Sequence, residues 1–293
     1  MLTKEAFQTA VRGGIHFLDG ATGSNLRLAG MPKDCCTEDW ILNHPEPLVS
    51  LQRAFVQAGA QILYAPTFQA QPIALARVGL EKQTESVNAA LVSLSRSAAP
   101  NCLIGGDLTT LAGFCSSWEP ENFDLLVSNY RRQIRGLIDG GCDFLAAETL
   151  LYPQEAEAIL TAAELENAGA VLYTFTMQSV GYLFSGADAG PVLQELEHAG
   201  AAAVGFNCVA ADMMTAHLVS RLRRFVKIPL VCKPNAGNPV IDNQGTARYN
   251  LTAEEFADIS RQCYKNGAEL LGGCCGTTPE FLAAMIRAVQ GKR

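Results

Sequence analysis

The chain has 293 residues, 48% of them hydrophobic, with 10 cysteines and 22 basic against 29 acidic side chains, a net charge of −7. That apolar content excludes disorder as the dominant state and supports a large core. The acidic balance, without runs of like charge, argues against nucleic acid or an anionic membrane surface as partner.

The first fourteen residues read as an amphipathic helix without the apolar core and cleavage site of a secretory signal. No apolar stretch approaches the roughly 18–20 residues of a membrane span. The expectation is a cytoplasmic protein whose cysteines stay reduced, so a disulfide framework is out of place. Short apolar runs then recur at Ile15–Leu18, Ile62–Ala65, Leu103–Gly106, Phe144–Ala147, Val171–Phe175, Ala202–Phe206, Pro229–Cys232 and Glu269–Leu271. They are mostly apolar on both parities, as parallel strands buried on both faces are. Between them, Leu48–Ala58, Lys82–Ala98, Asn122–Asp139, Pro153–Asn167, Ala211–Phe225, Thr252–Asn266 and Pro279–Val289 carry helix signals. Thr252 with Glu255 forms a capping box. Glycines at 59, 140–141, 200 and 267 stand just past helices, where a left-handed cap is needed.

Eight strands alternating with helices predict a single α/β domain over residues 1–293, a (β/α)8 TIM barrel. An open doubly wound sheet is the rival. It is weakened because Asp19–Gly20–Ala21–Thr22–Gly23 follows the first strand in place of a G-x-G-x-x-G loop.

In such barrels the chemistry sits where the strands end. Those ends read Asp19, Thr67, Asp107, Glu148, Thr176, Asn207–Cys208, Lys233–Asn235 and Cys274–Cys275. Cys208, Cys274 and Cys275 can therefore converge at the barrel mouth. Three thiolates with an open fourth position make a catalytic zinc site, and sulfur ligands favour zinc over magnesium or calcium. A first shell this negative activates water poorly and suits the ion to holding a fourth thiol as nucleophilic thiolate. The predicted chemistry is alkylation of a thiol substrate. Cys102, Cys115, Cys142, Cys232 and Cys263 are expected to be packing residues, while Cys35 and Cys36 keep no assigned role. The four histidines are read as structural.

Gly272–Gly273–Cys274–Cys275–Gly276–Thr277–Thr278–Pro279 resembles the signature of the zinc-dependent homocysteine S-methyltransferase family. Gly205–Phe206–Asn207–Cys208, Leu18–Asp19–Gly20–Ala21–Thr22–Gly23, Pro234–Asn235–Ala236–Gly237 and Ala147–Glu148–Thr149 resemble its other motifs, so the likeness runs from about Phe17 to about Met285. The resemblance implies a TIM barrel, zinc on Cys208, Cys274 and Cys275, and methyl transfer to homocysteine thiolate to give methionine. It implies that Asp19 and Glu148 receive the substrate's amino group. Thr67 and Asn235 are expected to hydrogen-bond the substrate or support its ligands, and Asn207 to orient the site beside Cys208.

Within the family, Lys233–Pro234–Asn235–Ala236–Gly237–Asn238–Pro239 is similar to the homocysteine module of cobalamin-dependent methionine synthases. That likeness implies methylcobalamin on a separate corrinoid protein as donor, with S-methylmethionine or another sulfonium as the alternative. Two segments depart from the family pattern: Ala65–Pro66–Thr67–Phe68, and Asp107–Leu108–Thr109–Thr110 in place of a G-P-x-G turn. Two readings of other classes stay open, a non-catalytic zinc- or thiol-binding barrel and a lyase whose Lys233 forms a Schiff base.

Overall fold

The computed structural model describes residues 1–114, 120–241 and 247–291, with the backbone alone at 120–121. Cys115 lies outside the described residues. The strands are β1 (His16–Phe17), β2 (Ile62–Tyr64), β3 (Leu103–Thr109), β4 (Phe144–Leu150), β5 (Val171–Phe175), β6 (Ala203–Ala210), β7 (Leu230–Asn235), β8 (Pro239–Ile241), β9 (Ala247–Tyr249) and β10 (Leu270–Leu271). The first seven helices are α1 (Lys4–Ala10), α2 (Thr22–Leu28), α3 (Thr37–Asn43), α4 (Pro45–Ala58), α5 (Pro72–Leu75), α6 (Thr84–Ala98) and α7 (Pro120–Asp139). They continue as α8 (Pro153–Leu165), α9 (Ala189–His198), α10 (Thr215–Leu222), α11 (Ala253–Lys265) and α12 (Pro279–Gln290).

Eight strands pair in the order β1-β10-β7-β6-β5-β4-β3-β2, all in parallel. A parallel bridge from Leu18 to Ile62 joins the two ends of that order, so the sheet closes on itself as a TIM barrel. Side chains fill its interior: Leu18, Ile62, Phe144, Leu172, Val231 and Leu270 are all at most 1% exposed. Helix α1 belongs to this packing, with Phe7 5.0 Å from Phe144 between ring centroids. Backbone bonds of Leu2 to Asp143 (2.7 Å) and Ala170 (2.8 Å) fix the entry to α1 against the strand starts. The outer core lies between the strands and the helix ring, where Ile134, Ile159 and Leu222 meet Leu63, Ile104 and Val204. Among the described residues, no helix is long and apolar enough to cross a membrane.

The apolar pattern located every barrel strand but ended four of them early. β3, β4, β6 and β7 run on through Asp107, Glu148, Asn207–Cys208 and Lys233–Asn235. Glu148, Asn207 and Lys233 remain in the ladder with side-chain partners inside the mouth. Features not foreseen include the antiparallel β8–β9 hairpin that follows β7, the helices α2 and α3 between β1 and β2, and the short helix α5.

Candidate metal centre and acceptor pocket

Two strand irregularities build the site. The β6–β7 register shifts between Asn207 and Ala210, and the β4–β5 register shifts between Ala147 and Leu150. Each break contains a non-glycine residue of positive φ, Cys208 at 57° and Thr149 at 59°. Such backbone is costly for a β-branched or thiol-bearing residue and persists only where the surroundings enforce it. Asn207 supplies that enforcement from full burial. Its Oδ1 accepts from the Thr149 backbone N–H (2.8 Å) and from Thr174 Oγ1 (2.9 Å). Its Nδ2 donates to Thr149 Oγ1 (2.7 Å) and reaches Cys274 Sγ at 3.8 Å. One amide thus locks both breaks and touches the thiol cluster.

The cysteine pair sits on a turn after β10. The Cys274 N–H bonds Pro234 O (2.8 Å), the Cys275 carbonyl accepts from Ala236 N–H (2.9 Å), and Thr277 returns to the Cys274 carbonyl through both N–H and Oγ1. Gly276 has φ 81°, and any Cβ there would run into the Tyr249 ring. Glycine is therefore required at the point where the hairpin lies over the cysteines.

The ligand atoms of Cys208, Cys274 and Cys275 all lie within 4.8 Å of one another, and they form the one such metal-type cluster among the described residues. Tetrahedral zinc with bonds of about 2.3 Å spaces its sulfurs about 3.8 Å apart. Cys208 and Cys275 stand 3.8 Å apart, far beyond the roughly 2.05 Å of a disulfide. The donor set and its spacing fit a thiolate-bound metal. Without one, donation from the thiols of Cys208 and Cys274 pulls the Cys275 pKa down to about 3, and the same contacts push Cys208 up.

The thiols open on a cavity of about 260 Å³, lined also by Asp19, Tyr64, Glu38, Asp107, Glu148 and Lys233. Lys233 Nζ lies 3.1 Å from Asp19 Oδ1 and 3.5 Å from Glu148 Oε2, over the Tyr64 ring at 3.7 Å. Burial alone would lower its pKa, but the charges of Asp19 and Glu148 outweigh burial and hold the ammonium well above its usual value. Burial pushes Glu148 up to about 7 against the pull of Lys233.

The expected site residues are distributed unequally. Asp19, Glu148 and the three cysteines line the cavity. Asn207 stands directly behind them. Thr67 is fully buried and spends its hydroxyl on the Asp107 main chain, donating to the carbonyl (2.9 Å) and accepting from the N–H (3.0 Å). Asn235 is buried at the end of β7 with Oδ1 unpartnered, and its backbone carbonyl accepts from Gly237 N–H at 2.7 Å. Cys36 leads into α3 and donates its thiol to Glu38 (3.4 Å), while Cys35 bonds the Pro32 carbonyl, so this pair stands apart from the metal-type cluster. Cys102, Cys142, Cys232 and Cys263 are buried. Tyr64, Glu38 and Tyr249 escaped the strand-end reading. Tyr64 lies within an apolar run, Glu38 belongs to an unforeseen helix, and Tyr249 belongs to the unforeseen hairpin.

A closed parallel barrel with three thiols and an acidic wall at its mouth is the architecture of a barrel enzyme whose site can hold a metal and a small charged substrate side by side. The family profile described as Homocysteine S-methyltransferase matches residues 16–289, and the chain belongs to that family. It is 27% identical to the homocysteine S-methyltransferase of Escherichia coli K12 over 92% of this chain and 94% of that protein. It is 25% identical to the methionine synthase of Mycobacterium tuberculosis, where 92% of this chain spans 24% of the relative. The metallated form of the Escherichia coli homocysteine methyltransferase MmuM superposes with a TM-score of 0.80 at 25% identity, covering 95% of this chain and 98% of that one. A methyltransferase from Methanosarcina mazei shares the fold alone, with a TM-score of 0.65 at 11% identity. The chain is thus a homocysteine S-methyltransferase by family.

Proposed function

We propose that residues 1–293 act as one barrel that transfers a methyl group to homocysteine thiolate, giving methionine, with Zn2+ held by Cys208, Cys274 and Cys275. The observation that carries this reading is the three-thiol cluster opening on a cavity that carboxylates also line. When bound, zinc supplies a fourth ligand position and the charge that keeps a thiol deprotonated near neutral pH. The chain's own residues do the rest. Asn207 fixes Cys208 and Cys274 in place, and the acidic wall containing Asp19 and Glu148 receives the amino group by charge-assisted hydrogen bonding. Thr67 and Asn235 act from behind this wall, Thr67 by clamping the Asp107 backbone. The homocysteine sulfur forms its bond to the methyl carbon as that carbon parts from the donor, and the bonding pair leaves with the donor. A thiolate needs no general base, so positioning supplies the acceleration.

The donor we favour is methylcobalamin on a separate corrinoid protein, on the strength of the Lys233–Pro239 loop sequence. A sulfonium such as S-methylmethionine is the second reading, favoured by the end-to-end match with the Escherichia coli homocysteine methyltransferase. One experiment tests acceptor, metal and donor together. Bound zinc is measured, and methionine formation from homocysteine is followed with methylcobalamin, S-methylmethionine and S-adenosylmethionine. Activity in zinc-free protein would overturn the metal assignment. Turnover with S-methylmethionine alone would replace the corrinoid donor.

A further inference from the structure

Four sulfurs share the metal in the proposed reaction, three from the chain and one from the acceptor. Each is a thiolate, and the thiolate is the nucleophilic form of sulfur. A chain that brings a methyl donor to this cluster must keep its own ligands from being methylated, because S-methylation turns a charged ligand into a neutral thioether. The hydrogen bonds around the three cysteines are unequal. Cys274 Sγ faces Nδ2 of the fully buried Asn207 at 3.8 Å. Cys275 Sγ shares a hydrogen bond with the Tyr249 hydroxyl. Both partners are donors here, since an amide nitrogen does not accept and a phenol beside a thiolate can only donate. Among the described residues, the hydrogen-bond partners of Cys208 Sγ are the other two thiols. Those thiols lose their protons when a metal binds, and with them the means to donate. All three cysteines are half-buried, so access alone does not distinguish them.

The Tyr249 contact is held by the backbone. Asn250 Oδ1 accepts from the Asn238 N–H (2.7 Å) at the foot of the β8–β9 hairpin. The Leu251 N–H bonds the Ala236 carbonyl (3.2 Å), while the Ala236 N–H bonds the Cys275 carbonyl (2.9 Å). The hairpin and Cys275 therefore hang on the same residue, and the Tyr249 ring lies on Gly276, next in the chain after Cys275.

We propose that Tyr249 and Asn207 are positioning residues that quiet Cys275 and Cys274, so that the methyl group goes to the acceptor, and that Cys208 is the ligand left open to methylation. This inference rests on the zinc and homocysteine reading and deepens it. A donated hydrogen bond draws charge from a thiolate and lowers its proton affinity by about 10- to 100-fold. Nucleophilicity follows proton affinity with an exponent of about 0.4–0.5, so attack slows by about 3- to 10-fold. Selectivity then comes from reducing the reactivity of the ligands, with nothing added to the acceptor. In the side reaction so restrained, a cysteine sulfur forms its bond to the methyl carbon as the donor–methyl bond breaks, and the bonding pair leaves with the donor.

The test is methylation of zinc-loaded protein by methyl iodide without homocysteine, stopped at low conversion, with S-methylcysteine located and quantified by peptide mass spectrometry. In the wild type Cys208 should react first, and Cys274 and Cys275 about 3- to 10-fold more slowly. That order is read without any variant. Tyr249→Phe keeps the ring on Gly276 and removes the hydroxyl. It should raise the Cys275 rate by about 3- to 10-fold and leave the Cys274 rate within about 2-fold, with zinc content and melting temperature as the folding control. Cobalt(II) in place of zinc gives a second readout, since the sulfur-to-cobalt charge-transfer band should move to longer wavelength in Tyr249→Phe. An unchanged Cys275 rate and an unmoved band would overturn the assignment of Tyr249. An equal rise at all three cysteines would also overturn it, by showing a loosened hairpin in place of a lost hydrogen bond. Wild-type protein that forms methionine while its three ligands are methylated at equal rates would overturn this inference and leave the homocysteine reading standing. Protein that binds no zinc would remove both.

Discussion

Glu155 offers a perturbation whose size can be worked from the structure. It sits on the first turn of α8, is fully buried, and accepts five hydrogen bonds. Oε1 takes Thr110 Oγ1 (2.6 Å), Leu111 N–H (2.8 Å) and Ala112 N–H (3.1 Å), while Oε2 takes Leu151 N–H (3.0 Å) and Tyr152 N–H (3.2 Å). One carboxylate therefore ties the segment after β3 to the segment after β4, the strands that carry Asp107 and Glu148. Glu155→Gln keeps the shape and removes one acceptor. With the remaining oxygen turned toward Thr110–Ala112, the new amide group faces the Leu151 and Tyr152 N–H groups, and both lose their partner. An unsatisfied buried donor costs about 1–3 kcal/mol. These two are partly exposed, so the lower half of that range applies, about 2–4 kcal/mol for the pair. Unfolding entropy of about 2.1 cal/mol/K per residue gives about 0.6 kcal/mol/K over a chain of 293 residues, so the Tm should fall by about 3–7 °C. Circular dichroism melting of the metal-loaded variant measures this, with a urea midpoint as the independent check. A fall under about 1 °C would refute the reasoning that this carboxylate holds the two segments together.

Four further outcomes follow from the same geometry. Cys275→Ser should weaken zinc binding strongly, since a neutral hydroxyl replaces a thiolate ligand; chelator competition reads this, and an unchanged zinc affinity would take Cys275 out of the ligand set. Chelation of bound metal from the wild type should lower its Tm, because an ion bound only by the folded chain stabilises it by mass action. Gly205→Ala should destabilise by about 1–3 kcal/mol or more and loosen metal binding, because the new methyl would strike the Val231 carbonyl on β7 and push away the strand that carries Cys208. The Arg132 guanidinium bonds Glu85 twice (2.6 and 2.8 Å) and holds its carboxyl below the usual range. Its stabilisation is therefore complete above the ordinary carboxylate pKa and is lost as pH falls through the lowered folded value. Glu85→Gln should cost under about 1 kcal/mol near neutral pH and nothing in strong acid, as parallel melts in the two buffers would show.

The barrel was legible because parallel strands buried on both faces leave continuous apolar runs, and glycines mark where several of the helices hand over to the next strand. Cys208, Cys274 and Cys275 were legible for a related reason: strand ends of a barrel share one mouth, so residues far apart in sequence can be placed together from topology alone. The reading weakened wherever a strand continued through polar residues. Glu148, Asn207 and Lys233 ended the apolar runs, yet each remains within its strand, since partners inside the mouth satisfy it. Hydropathy sees the polarity of a residue and cannot see its partner. Lys233 shows the consequence: as a lysine at a strand end it suggested Schiff-base chemistry, whereas in the structure it is held between two carboxylates over an aromatic ring.

Local pattern and topology thus determined the barrel and the three thiols brought to one mouth, and the motif resemblance pointed to the family. Only the tertiary structure decided how the wall around them is wired: that Asn207 bridges two strained strand breaks, that the hairpin lays Tyr249 over Gly276, and that Asp19 is engaged while Asp107 is not. These are pairings between strands remote in sequence, set by side-chain direction and distance within a closed sheet. A one-dimensional pattern carries the periodicity of each strand and no information about which side chains will meet across the barrel.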